Sequence, residues 1–205
     1  MLNKEDMKIA VDINDVLRKY TYNFGVYFNK AYDKDINLDE LEITTNDLSQ
    51  VFPFKSRYDY EKFVYEDYSW ELFAKCPSCS EGLGAAFANW VTKDLTNIDI
   101  DEPIEVMLVS PMEYGITIPA TYWFISKLGS RVREVYMPLD SATIWDKCDI
   151  LITANPKLLA MKPEGKKTVK IKTDYNKDVV ADFEYNKMID FLDKNENTES
   201  LFKKE

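Results

Sequence analysis

The chain contains no histidine. Without imidazole, Ser-His and Cys-His nucleophile systems and two-His zinc sites are excluded, as is acid-base work by a group that titrates near neutrality unaided. Any catalysis must use carboxylates, lysine, tyrosine, cysteine or serine. Cysteine is scarce: Cys76, Cys79 and Cys148 are an odd number without framework spacing, which fits a reducing compartment. Cys76-Pro-Ser-Cys79 has zinc half-site spacing, yet with no histidine and one further cysteine a four-ligand site cannot be completed. A redox pair would want a strand-to-helix setting that this segment lacks, so ordinary thiols are expected. No run approaches the ~20 apolar residues of a membrane helix. The opening MLNKEDMKIAV carries charges where a signal peptide is apolar, and a cytoplasmic location is expected. Basic residues are outnumbered 26 to 36, and the net charge of -10 argues against diffuse attraction to nucleic acid or to an anionic membrane.

The 205 residues, 45% of them hydrophobic, suffice for one well-buried core with a small accessory lobe. Residues 8–13 (KIAVDI) read as a buried strand that carries Asp12 at its carboxyl end. Apolar residues from Val16 to Tyr32 recur at spacings of three and four, the pattern of one helix face. Residues 38–50, 59–75 and 81–93 show helical periods and no buried strand, which predicts a helical lobe over 37–97. It is rich in aromatic rings from Phe52 to Phe73. Residues 97–103 (NIDIDEP) read as a turn-prone return to the first domain.

Strands at 104–109, 131–137, 149–152 and 167–172 then alternate with helices at 116–128, 141–147 and 179–194, and the tail from 195 is expected to fray. Such alternation predicts an α/β fold, a doubly wound Rossmann-like parallel sheet made from 1–36 and 98–205, with the helical lobe inserted after the first strand-helix unit. Ligands bind at the carboxyl ends of such strands, where Asp12, Ser110 and Asn155 converge.

Three strand ends carry a resemblance. V-D-I-N-D-V-L at 11–17, V-M-L-V-S at 106–110 and D-I-L-I-T-A-N-P at 149–156 resemble, in order and spacing, motifs of the haloacid dehalogenase (HAD) superfamily of phosphohydrolases. The inserted lobe stands where that family places a cap. The resemblance covers about residues 7–194 and implies a phosphoryl-accepting nucleophile at Asp12. It also implies a phosphate-binding hydroxyl at Ser110. Elsewhere the pattern is broken. The general acid/base position reads Asn14, and a carboxamide cannot exchange a proton in that way. The acids that hold Mg2+ are replaced by Thr153 and Ala154, leaving Asp12 as a weak remnant of a metal site. The phosphate-binding lysine aligns with Thr143, while Lys147 lies one turn further on. Asp15 is a candidate substitute for the missing carboxylate.

Local readings compete with each of these. Asp12 at a strand end could cap the next helix. Ser110 before Pro111 could be a turn residue, and Asn155-Pro156 reads first as a turn start. The lobe's rings are expected to form its own core, while neighbours such as Tyr58 and Tyr60 or Tyr65 and Tyr68 cannot all face inward.

The expectation is a catalytically degenerate HAD-like protein that acts as a binding or assembly module. Its partner would be another protein or a second copy engaged through the aromatic lobe, and no cofactor is expected. The alternative is a Mg2+-dependent phosphatase or 5'-nucleotidase acting on a small phosphorylated metabolite or nucleotide through an aspartyl-phosphate at Asp12. A sensor that binds a phosphorylated small molecule without turnover is the third reading.

Overall fold

The computed structural model describes residues 7–97, 104–193 and 195–202. Six strands form one parallel sheet: β1 (Met7–Asp12), β2 (Ile104–Val109), β3 (Glu134–Tyr136), β4 (Ile150–Thr153), β5 (Lys167–Ile171) and β6 (Phe183–Tyr185), in the order β3-β2-β1-β4-β5-β6. The chain builds outward on one side of β1 and then returns to its other side. The carboxyl ends of β1 and β4 therefore flank the point where the winding direction reverses, the crevice in which such sheets bind ligands.

The central strands read as continuous apolar runs because both faces of the sheet are covered. On one face Ile9, Val11, Leu108, Ile150, Ile152, Val169 and Ile171 pack against helices α4 (Leu83–Asn89), α5 (Thr117–Lys127) and α7 (Met188–Leu192). On the other, Ala10, Met107, Val109 and Leu151 pack against Ile144, Trp145 and Leu158, from a 3-10 turn at Ser141–Ile144 and helix α6 (Pro156–Ala160). Alternation along each strand assigns neighbours to opposite faces.

A second apolar cluster joins Tyr20, Phe24 and Phe28 of helix α1 (Tyr20–Tyr32) to Leu48, Phe52, Tyr60, Phe63, Val64, Leu72 and Phe73. Phe24 and Phe28 stand within 6.4 Å, centroid to centroid, of rings at Phe52, Phe54 and Phe63. The helices here are α2 (Leu48–Val51) and α3 (Arg57–Lys62), followed by wider π-helical turns at Phe63–Asp67 and Trp70–Ala74. Most of the rings from 52 to 73 thus satisfy one another, and Tyr58 stays exposed.

Several predicted elements differ. The first helix starts at Tyr20, not Val16, because Asp15 adopts a left-handed conformation (φ 57°) and the turn behind it bonds the 76–79 segment, with Lys19 N donating to Pro77 O at 2.8 Å and Cys79 N to Leu17 O at 2.9 Å. Only Leu48–Val51 of the predicted 38–50 helix forms; Leu38, Leu41 and Ile43 lie instead as a non-helical strap against the lobe core. The strand predicted at 131–137 shortens to Glu134–Tyr136, and the 141–147 helix to one 3-10 turn.

The predicted 179–194 helix is divided into β6 and α7, since Phe183 and Tyr185 alternate on a strand that pairs with β5. Asn155-Pro156 begins a helix, with the Asn155 side chain accepting from Lys157 N and Leu158 N and proline at the first turn. The tail does not fray through 202: helix α8 (Asn195–Ser200) docks through Thr198, whose hydroxyl accepts from the buried Trp90 indole at 3.0 Å, and Leu201 is buried. The predicted return at 97–103 lies mostly outside the described residues. Among the described residues no helix is long and apolar enough to cross a membrane.

Candidate functional site

Register brings the motif residues together. Asp12 pairs with Val109 at the end of β2, and Val11 with Ile152, so Asp12, Ser110 and Thr153 emerge side by side at the carboxyl edge. All three side chains are buried. The Thr153 hydroxyl donates to Asp12 Oδ2 at 2.7 Å and accepts the backbone N-H of Asn155 at 2.9 Å. Asp12 Oδ1 accepts the backbone N-H of Asn14 at 3.4 Å. Asp12 caps no helix. That role falls to Asp15, whose carboxylate takes the Thr21 N-H at 2.9 Å, the Thr21 hydroxyl, and the Tyr175 hydroxyl at 2.8 Å. Both Asp15 oxygens are therefore engaged by groups of α1 and of the 173–175 turn.

Asn14 is fixed from both sides. Arg18 Nε donates to its Oδ1 at 2.7 Å, and its Nδ2 donates to Ser110 Oγ at 3.1 Å. A guanidinium only donates, so the carboxamide oxygen must face Arg18 and the NH2 must face Ser110. Arg18 is fully buried and bonds Glu113 Oε1 at 2.5 Å, Thr121 Oγ1 at 2.8 Å and Phe73 O at 3.2 Å. Thr121 in turn donates to Glu113 Oε1 at 3.0 Å. Glu113 Oε2 is buried without a hydrogen-bond partner among the described residues.

This ion pair beneath the motif is absent from the sequence expectations. Its signal was faint: an arginine, Arg18, beside Lys19 in the largely apolar VLRKYTYNF, and a lone acid, Glu113, before a long uncharged run. Isolated charges in apolar surroundings are buried only when paired.

Burial pushes the Asp12 carboxyl up to about 7. The Thr153 hydroxyl and the Asn14 N-H hold it down, while the negative charges of Glu113 and Asp15 push it further up. Arg18 does not contact it, being occupied by Asn14 and Glu113. Burial also raises Asp15 above the usual carboxylate range. Lys147 is exposed, its ammonium 5.0 Å from the centre of the Tyr136 ring, and the Tyr136 hydroxyl meets Thr143 Oγ1 at 2.8 Å. Cys76, Cys79 and Cys148 are free, and burial raises all three thiols, Cys76 to about 12, so they carry no thiolate at neutral pH.

Mg2+, which the resemblance implies, takes near-octahedral oxygen ligands and is bound through one or two carboxylates. Asp12 offers one carboxylate, and its Oδ2 lone pair already receives the Thr153 proton. Ala154 supplies no side-chain ligand, and Asp15 is engaged elsewhere. Among the described residues no three of His, Cys, Asp or Glu gather around a common point that would hold a metal. The donor set does not fit the ion.

A cleft of about 30 Å³ lies over Asp12 and Asn14, lined also by Tyr20, Asn46, Met112 and Asn155. A larger apolar hollow of about 280 Å³ adjoins it across Asp15, Thr21 and Tyr175, walled by Leu38, Leu41 and Ile43.

No protein-family model matches the chain, and no curated protein matches it. Solved structures do. A haloacid dehalogenase-like hydrolase from Burkholderia xenovorans superposes with a TM-score of 0.51 at 12% identity, over 92% of this chain and 96% of that one. Likeness at this identity speaks to architecture, and with the parallel sheet and its inserted helices it shows that the chain has the fold of the HAD-like hydrolases.

Proposed function

We propose that this HAD-fold protein no longer carries out phosphoryl transfer and serves as a binding or assembly module. The observation that carries the reading is the state of Asn14. Where the fold's hydrolases need a group that gives and takes a proton, this chain has a carboxamide tied between Arg18 and Ser110. Loss of a general acid/base alone costs about a hundred- to ten-thousand-fold in rate. The misfit of the donor set to Mg2+ removes charge stabilisation as well, the larger share of catalysis in phosphoryl transfer. An Asp12 carboxyl with a pKa of about 7 is partly protonated at neutral pH, which weakens it as a nucleophile.

The test is a broad panel of phosphate esters with Mg2+, comparing the native protein with Asp12→Asn. Equal background hydrolysis by both is expected. Turnover by the native protein that Asp12→Asn abolishes would overturn this reading in favour of a Mg2+-dependent phosphatase or nucleotidase working through Asp12.

A further inference from the structure

Residues 114–126 (YGITIPATYWFIS) are thirteen consecutive positions without a charge, in a chain of which 30% is charged. Most of them form α5, which turns Thr117, Ala120, Thr121 and Phe124 inward. The outward side is apolar too: Tyr114, Ile116, Ile118, Tyr122 and Trp123 are between 36% and 66% exposed. Trp70, 37% exposed, extends the patch from the lobe, its ring 6.0 Å from that of Trp123. A helix apolar all round belongs in an interior, yet half of this one faces solvent. The charges at its margin are engaged: Lys127 donates to Ala74 O at 3.0 Å, and Lys75 pairs with Glu71 at 3.3 Å.

We propose that this face is where a second copy of the chain docks, forming a homodimer through α5 and Trp70. Two observations select a second copy. Each chain carries -10, so contact between two copies is opposed least where no unpaired acid is exposed; residues 114–126 carry no charge, and Glu71 at the margin is paired with Lys75. The area also fits: at ~200 Å² per aromatic side chain, the four rings expose roughly 400 Å². With Ile116 and Ile118 they supply over half of the ~800 Å² per partner that a standard interface uses. An aromatic centre with a polar rim is how interfaces are built, and tryptophan and tyrosine dominate their energetics. A two-fold pairing of identical faces is the commonest form of such assembly.

This names the partner for the assembly role proposed above and rests on that role, but it is tested without reference to the Asp12 site. Sedimentation of the native chain at micromolar to sub-millimolar concentrations should give twice the monomer mass. Trp123→Glu should weaken the dimer by about 30-fold or more, as loss of an interface hot spot does. Tyr58→Glu, a charge placed on an exposed ring of the lobe, should leave the dimer intact. Far-UV circular dichroism of both variants establishes that they are folded. A native protein that stays monomeric throughout, even one that binds neutral vesicles or another protein, overturns the proposal, as does a dimer that Trp123→Glu leaves unchanged. Phosphatase turnover with an intact, Trp123-dependent dimer would sink the catalytic reading and leave this one standing.

Discussion

Arg18 Nε lies 2.7 Å from Asn14 Oδ1, and this bond makes the carboxamide a fixed strut at the carboxyl end of β1. It directs the carboxamide NH2 at Ser110 and links the end of β1 to the buried Glu113.

Arg18→Met leaves Glu113 buried without its cation, which typically costs about 3–5 kcal/mol. Urea unfolding should show a loss of that order. Replacing both partners, Arg18→Met with Glu113→Met, should recover much of it, because the double variant leaves no uncompensated charge. A double variant as unstable as the single one would show that packing, and not the unpaired acid, sets the cost.

Asn14→Asp should fold, since a carboxylate there still accepts from Arg18. If, as proposed, Asn14 stands where an acid/base would be and that were the only defect, this change would raise phosphatase turnover by about a hundredfold or more. On the proposed reading Thr153 and Ala154 stand where the metal-binding acids would be, so hydrolysis should stay at the Asp12→Asn background. A rise on Asn14→Asp alone would show that the metal site is sufficient as it stands.

Stability should fall as pH rises. The Asp12 carboxyl is raised from 3.8 to about 7 by burial, so between those values the folded chain holds a proton that the unfolded chain has released. More protons on the folded state make the slope of unfolding free energy with pH negative. This contribution is present in full below about pH 4 and is lost as pH passes 7, a change on the order of 4 kcal/mol. Asp12→Asn should flatten that part of the profile and be the more stable protein above pH 7. Urea midpoints measured from pH 4 to 8 check it, and parallel profiles would count against a protonated Asp12.

Gly25 in mid-α1 offers a test of packing against propensity. Alanine would favour an isolated helix by about 1 kcal/mol. Its Cβ, however, would run into Leu38 Cδ2 and lie 3.2 Å from the Phe52 ring. Overpacking of this kind costs about 1–3 kcal/mol, so Gly25→Ala should destabilise on balance. A raised melting temperature would show that Leu38 moves aside freely.

The amino-acid sequence by itself determined the winding of the chain. Apolar runs ending at Asp12, Ser110 and Thr153, separated by helical periods, dictate a parallel sheet with those residues at one edge, because short-range pattern and connection rules leave few alternatives. It also excluded imidazole chemistry, since the absence of histidine needs no coordinates.

Tertiary structure decided how the edge is wired. Asp15 reads as a spare carboxylate, but a left-handed backbone and the hydroxyls of Thr21 and Tyr175 turn it into a cap for α1. Arg18 and Glu113 lie 95 positions apart, and only the packing of the turn before α1 against the segment after β2 makes them an ion pair. The sixth strand was hidden because three residues are too few to show a period, so pairing with β5 defines it. The apolar face of α5 has the same cause: periodicity tells that a helix is apolar on both sides, and only the placement of its neighbours tells which side is left for a partner.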